Sequence, residues 1–353
     1  KTKILYINRL VYIGYFMLNV AKSVYVLGRT VYKTKTAGAQ AGTMFDAFCK
    51  TMGSANVSKQ SARQVFNETT KKAQDLENIA NEILKNSGAD AIVKARVKGI
   101  DSTASKIQKK FIGFEKKGYE NSREDVHEVI LGKGTGELVG DSFGFRYILQ
   151  SERTGGKDNS IRIYEGILNA QKQNKKSFEL TCFEDYYGKG IKPYGNEAIR
   201  DKYAELQYRT SLGKVKETIA TFTEKPTGYT RTNINAKING VNAEIQVGGV
   251  YTTKWGNVEH ILYDMRQGKP LDMSKYTQEQ KELALKIEKA YKEVLKRKTG
   301  NTSEKFNKEY LNKLWDSFRN AEAKNLKEPV YPKFPEGYPE ILKIENLLKL
   351  VHD

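Results

Sequence analysis

Between residues 58 and 86, Val65, Thr69, Ala73, Leu76, Ala80, Ile83 and Leu84 return every three or four positions. That spacing marks one face of a helix, and Gly88 predicts its end. The same period predicts helices over 160–171, 251–265, 277–296 and 303–320. In the last two, Leu283, Ile287, Tyr291 and Val294, then Tyr310, Leu314, Trp315 and Phe318, form stripes suited to packing. Shorter apolar runs read as strands: GFRYIL (144–149), SFELTCF (177–183), TRTNINAKI (230–238) and VNAEIQV (241–247). Asn239-Gly240 separates the last two, a strong hairpin signal. Residues 92–111 read as helical or mixed. Strands interleaved with helices predict an α+β protein with a mixed sheet flanked by helices.

The flanks differ from this middle. Residues 1–45 hold seven basic residues and no acidic one, with an apolar stretch interrupted by Asn8, Arg9 and Asn19. No run of about 20 apolar residues occurs there, so a spanning helix is not expected. A packed N-terminal element is the first expectation, and peripheral membrane contact the second. A Gly/Ala/Thr-rich stretch at 34–44 reads as a link. Four of the seven prolines fall in 329–339, predicting an extended strap. The resulting division is an N-terminal extension (1–88), a central domain (89–269) and a helical C-terminal extension (270–353). The chain begins at Lys1 rather than Met, which fits a trimmed protein or one delivered from a larger or secreted precursor.

Composition narrows the chemistry. The chain has 353 residues, 60 Lys plus Arg against 42 Asp plus Glu, and a net charge of +18. A positive field of that size favours polyanions. Two cysteines (Cys49, Cys182) and three histidines (His127, His260, His352) exclude a disulfide scaffold and argue against a Cys/His zinc site. A metal would be held by carboxylates and water, which points to magnesium or manganese.

Four segments carry chemistry-bearing side chains. RVKGIDSTASKIQKK (96–110) gathers Arg96, Lys98, Ser102 and Lys106 around a helix start, where several cations and the helix N-terminus suit a polyphosphate. GDSFGFRYIL (140–149) sets Asp141 before a strand that carries Arg146. In the hairpin, Glu244 and Gln246 stand two apart and share a face. KWGNVEHILYDMR (254–266) places Glu259 and His260 on the following helix. Each segment also has a plainer reading: a solvated basic face, a loop aspartate, a half-exposed strand, a structural histidine.

Their order resembles the synthetase domain of the RelA/SpoT-type alarmone synthetases. The strings that carry the resemblance are RVKGIDSTASKI, GDSFGFRYIL, GYTRTNINAKI, AEIQV and WGNVEH, spread over about half the chain. The resemblance implies a nucleotidyltransferase-like synthetase core that moves pyrophosphate from ATP to the ribose 3′-hydroxyl of an acceptor nucleotide, guanine or adenine, with Mg2+. It implies donor-phosphate contacts at Arg96, Lys98, Ser102 and Lys106, and magnesium carboxylates at Asp141 and Glu244, the latter also near the attacking hydroxyl. Arg146 is then the strand arginine, Tyr229 the platform for the acceptor base, and Asn233, Gln246 and His260 supporting residues. Such an enzyme lacking the family's hydrolase and regulatory domains would act in the cytoplasm as a growth-inhibiting toxin, with a neutralising antitoxin or a delivery partner. Two alternatives stand beside it: a tRNA 3′-end pyrophosphokinase, favoured by the charge, and a non-catalytic nucleic-acid-binding or structural protein that reuses the fold.

The chain also departs from the family pattern. Thr230 stands where arginine is usual and Asn233 where histidine is usual. Asn233 can donate a hydrogen bond but cannot carry a proton. Arg231 is displaced by one position and is expected to point away on its strand. Gly248-Gly249 replaces a cation and is expected to loosen the backbone.

Overall fold

A computed structural model describes residues 38–131, 138–175, 177–186, 197–209, 215–222, 231–266, 268, 271, 273–274, 276–296 and 302–351. Tyr229 and Thr230 lie outside them, as do residues 1–37 of the segment 1–45 that carries the membrane-contact expectation. Among the described residues, no helix is long and apolar enough to cross a membrane.

The element order is α1 (Gly38–Met52), α2 (Ala55–Ser87), β1 (Ala91–Val97), α3 (Ile100–Leu131), β2 (Phe143–Leu149), β3 (Arg153–Thr154), β4 (Lys157–Asp158), α4 (Asn159–Gln173), β5 (Phe178–Asp185), α5 (Glu197–Ala204), β6 (Gln207–Arg209), β7 (Val215–Glu217), β8 (Ile219–Phe222), β9 (Thr232–Ile238), β10 (Val241–Gly249), α6 (Val250–Arg266), α7 (Gln278–Lys296), α8 (Thr302–Ala323) and α9 (Ile344–Leu348). Six strands form one sheet in the order β1-β2-β10-β9-β5-β8. The β2/β10 and β5/β8 pairs are parallel and the others antiparallel, so the expected mixed sheet is present.

Alternation along the central strands gives the sheet one apolar and one polar face. Phe143, Phe145, Tyr147, Ile234, Ala236, Ala243, Ile245 and Val247 point to the apolar side and are buried. Helices α2 and α4 cover that side with Leu76, Ala80, Ile83, Ile163, Tyr164 and Ile167. Full burial of each such large side chain contributes about 1.5–3 kcal/mol. Tyr147 is tied to this layer, since its hydroxyl donates to the Ala80 carbonyl at 2.9 Å.

The β9/β10 hairpin turns at Asn239 (φ 50°) and Gly240 (φ 77°), the two positive φ values that its tight turn requires. Helix α2 ends at Gly88 in the left-handed conformation (φ 61°), as its sequence predicts. Two expectations change. The Gly/Ala-rich stretch is helical from Gly38, because Phe45 and Cys49 pack with Ala62, Ile107 and Phe111. The mixed signal at 92–111 resolves into β1 followed by α3, which is itself broken at Gly118 (φ 75°, ψ 169°).

A second core joins α6, α7, α8 and α9 through Val258, Ile287, Leu314, Trp315, Phe318 and Leu347. Trp255 and Trp315 meet edge to face there, with ring centroids 6.3 Å apart. The proline-rich segment is the predicted extended strap: Tyr331 packs edge-on to Phe318, and Phe334 to Tyr310.

Candidate functional site

The polar face of the sheet is organised by strand register. One row runs Arg96, Gly144, Glu244 and Asn235; the next runs Lys94, Arg146, Gln246, Asn233 and Glu184. Gly144 has no side chain to fill the space between Arg96 and Glu244. A Cβ built there would sit 3.9 Å from the Arg96 Cγ and 3.9 Å from the Glu244 carbonyl oxygen. Lys94 and Arg96 are exposed, while Arg146, Asn233, Glu244 and Gln246 are half-buried.

Asp141 lies at the N-terminal mouth of β2. Lys98 follows β1, and its backbone N–H donates to the Ser142 carbonyl at 2.9 Å, which fixes it beside this mouth. Its Nζ donates to Asp141 Oδ2 at 2.8 Å. Lys106, from the first turns of α3, donates to the same oxygen at 2.6 Å. Asp141 and Lys98 keep only 17% and 16% of their side-chain surface exposed, whereas Lys106 keeps 46%. Burial alone would raise the Asp141 pKa. The hydrogen bonds and charges of Lys106 and Lys98 outweigh it and hold the carboxyl below its ordinary value. The other oxygen, Oδ1, is buried without a hydrogen-bond partner. Ser102 is exposed one helical turn before Lys106.

A second network crosses the sheet to α6. The Gln246 Nε2 donates to Glu244 Oε2 at 2.8 Å. Its Oε1 accepts from Arg146 Nε at 2.9 Å and from Arg231 Nη1 at 2.8 Å. Arg146 also donates from Nη1 to Asn257 Oδ1 at 3.0 Å. The Arg231 Nη2 donates to the Thr253 carbonyl at 3.4 Å.

Sequence reading placed Arg231 facing away; the structure turns it inward. It lies two residues before Asn233, which pairs with Gln246, so strand parity aims it at the polar face. Gly256 admits it: a Cβ there would come within 2.6 Å of its Nη2. Arg231 is 2% exposed. Asn257 was also missed, since only the tertiary fold brings it to Arg146.

The glycine pair after Gln246 likewise does not loosen the backbone. Gly248 and Gly249 are buried at the end of β10. A Cβ on Gly249 would overlap the Glu322 carboxylate. That carboxylate reaches from α8 to the start of α6, accepting from the Thr252 N–H at 2.7 Å and from the Thr252 hydroxyl at 3.0 Å. It caps α6 from a distance of 70 residues in sequence.

His260 lies one turn beyond Asn257 on α6. Its side chain is 68% exposed and pairs through Nδ1 with Asp264 Oδ2 at 3.3 Å. Cys182 shares the polar face with Asn235, and burial, then Glu184, push its thiol up to about 12, which disfavours a thiolate nucleophile.

The chain matches no family model and no curated protein.

The arrangement suits an anionic ligand with a divalent cation. Among the described residues, no three His, Cys, Asp or Glu side chains converge into a cage. An ion would then take one or two carboxylates here and its remaining oxygens from phosphate and water, which is how magnesium is usually held. Asp141 fits that part, with one oxygen fixed by two lysines and the other buried and unpartnered. Glu244 is oriented through one oxygen by Gln246.

Proposed function

We propose that the protein transfers pyrophosphate from ATP to the ribose 3′-hydroxyl of an acceptor nucleotide, as a synthetase of the RelA/SpoT type. The observation that carries this reading is that Asp141, held by Lys98 and Lys106, stands two residues before β2, and Glu244, held through Gln246, lies on the adjacent strand β10, paired with Gly144. Nothing in the packing alone calls for a carboxylate clamped by two lysines at the mouth of β2 beside a strand pair that carries Glu244, Gln246 and Arg146 on its polar face.

Lys98, Lys106 and Arg96 offset the charge of the donor triphosphate, with Ser102 at the helix start beside them. Magnesium, held by Asp141 and Glu244, would supply charge compensation and keep the phosphates in line. Glu244 receives the proton of the 3′-hydroxyl as that oxygen bonds to the β-phosphorus. The bond from the β-phosphorus to the α–β bridging oxygen breaks, and AMP leaves. No covalent enzyme intermediate is needed. Tyr229 is the platform for the acceptor base, and Asn233 and His260 are supporting groups. Draining ATP in this way places the action in the cytoplasm and makes growth inhibition its outcome.

The test is purified protein with magnesium and ATP labelled at the γ-phosphate, offered GDP, GTP, ADP, ATP, AMP and bulk tRNA, with Asp141→Ala as control. Label should enter one acceptor and stay out of all in the control. Well-folded protein that neither transfers label nor binds ATP overturns the reading. The +18 charge favours a tRNA acceptor as the second reading. Binding to tRNA should weaken steeply with salt, and binding to a mononucleotide much less.

A further inference from the structure

The structure assigns to Arg231 the positioning of the Glu244 carboxylate, through a locked Gln246 amide. The function of that lock rests on the pyrophosphate-transfer reading; the lock itself does not. The argument starts from what each group can donate. Guanidinium nitrogens only donate, so the Gln246 atom that Arg146 and Arg231 share must be the carbonyl oxygen. The other end of the amide is then the NH2 group, and it faces Glu244 Oε2 at 2.8 Å.

With only one guanidinium, a flip would lose two hydrogen bonds, one from that arginine and one to Glu244; the second guanidinium makes the loss three. With two, a flip would turn the NH2 group onto two cations and the carbonyl oxygen onto a carboxylate. The amide is thereby fixed in the single orientation that donates to Glu244. Fixing Oε2 leaves the second carboxylate oxygen as the one presented to a hydroxyl.

Arg231 is itself held from three directions. Gln246 accepts from Nη1, the Thr253 carbonyl accepts from Nη2, and Gly256 clears the space. Thr253 and Gly256 lie on α6, so this helix sets the guanidinium and the guanidinium sets the strand. The residue has moved one place from the family's arginine position and reaches the Glu-x-Gln strand from there.

The test compares wild type, Arg231→Lys and Arg231→Met in two assays. The first follows the side-chain NH2 pair of Gln246 by 15N NMR, assigned by its loss in Gln246→Met. The second measures kcat and KM for ATP. In the wild type the two amide protons should be distinct and protected from exchange. In Arg231→Met, where Arg146 and Glu244 still bind the amide, the protons should exchange faster and shift towards free-amide values, kcat should fall about 10- to 100-fold, and the KM for ATP should stay within about twofold. Arg231→Lys, which keeps the charge and one donor, should recover about a tenth or more of the lost kcat. A general loss of folding would not give this split or this rescue, and if Arg231→Met does not fold, Arg231→Lys carries both assays alone.

An unprotected Gln246 amide in the wild type overturns the lock. A folded Arg231→Met protein with wild-type kcat overturns its catalytic role. If the wild type transfers to no acceptor, the reaction is lost, and the amide signal still decides whether Arg231 locks Gln246.

Discussion

A methyl group on residue 256 and the guanidinium of Arg231 cannot occupy their present places together: a Cβ on Gly256 would lie 2.6 Å from Nη2 and 3.2 Å from Cζ. The glycine is therefore part of the polar network although it contributes no polar side chain.

Gly256→Ala should force Arg231 out. Alanine favours the helix by about 1 kcal/mol, but a displaced, buried guanidinium loses hydrogen bonds at a cost of about 1–3 kcal/mol. Thermal unfolding should show a net loss, and pyrophosphate transfer should fall with it. A variant more stable than wild type with full activity would show that Arg231 has another resting place.

Asp141→Asn tests a pH window as well as a site. The native Asp141 pKa lies below its ordinary value. Its charge therefore contributes stability above the unfolded carboxylate value of about 3.9, and that contribution is lost as pH falls through the depressed native value. Urea unfolding at pH 7 should show the variant less stable by about 1–3 kcal/mol, with Lys98 and Lys106 left without their shared counter-charge. The gap should close towards acid pH, and transfer activity should be absent throughout.

These sites were unevenly legible in the sequence. The β9/β10 hairpin was clear because Asn239-Gly240 interrupts two alternating runs, and Glu244 and Gln246 could be assigned one face by parity alone. Strand β1 was obscured: Ile92, Lys94 and Arg96 alternate with Ala91, Val93 and Ala95, so neither face is strongly apolar. Helix α1 was hidden by Gly38 and Gly42, and only its packing against α3 makes it helical. The two-residue strands β3 and β4 are too short to leave a period. Asn257 had no local signal, since its partner Arg146 is 111 residues away. Arg231 did have one, its two-residue spacing from Asn233, which the comparison with the family motif overrode.

Glu322→Ala should uncap α6. The Thr252 N–H and hydroxyl would both lose their carboxylate. A loss of about 1–2 kcal/mol is expected, and a double-mutant cycle with Thr252→Ala should show the two changes to be strongly non-additive.

Gly240→Ala should cost about 1–2 kcal/mol, because φ at this position is 77° and an L side chain is strained there. Denaturant unfolding should report the loss without a change in the KM for ATP, since the turn lies at the far end of β9 and β10 from Arg231.

The chain's two tryptophans are Trp255 and Trp315, both buried and in edge contact between α6 and α8. Trp255 is the immediate neighbour of Gly256, one residue from the place where Arg231 is admitted. The molecule thus carries its own optical gauge. Intrinsic emission, with no label added, reads the seam between the helix that touches the sheet's polar face and the helix that caps it, so a ligand that shifts α6 announces itself as a change of colour or intensity.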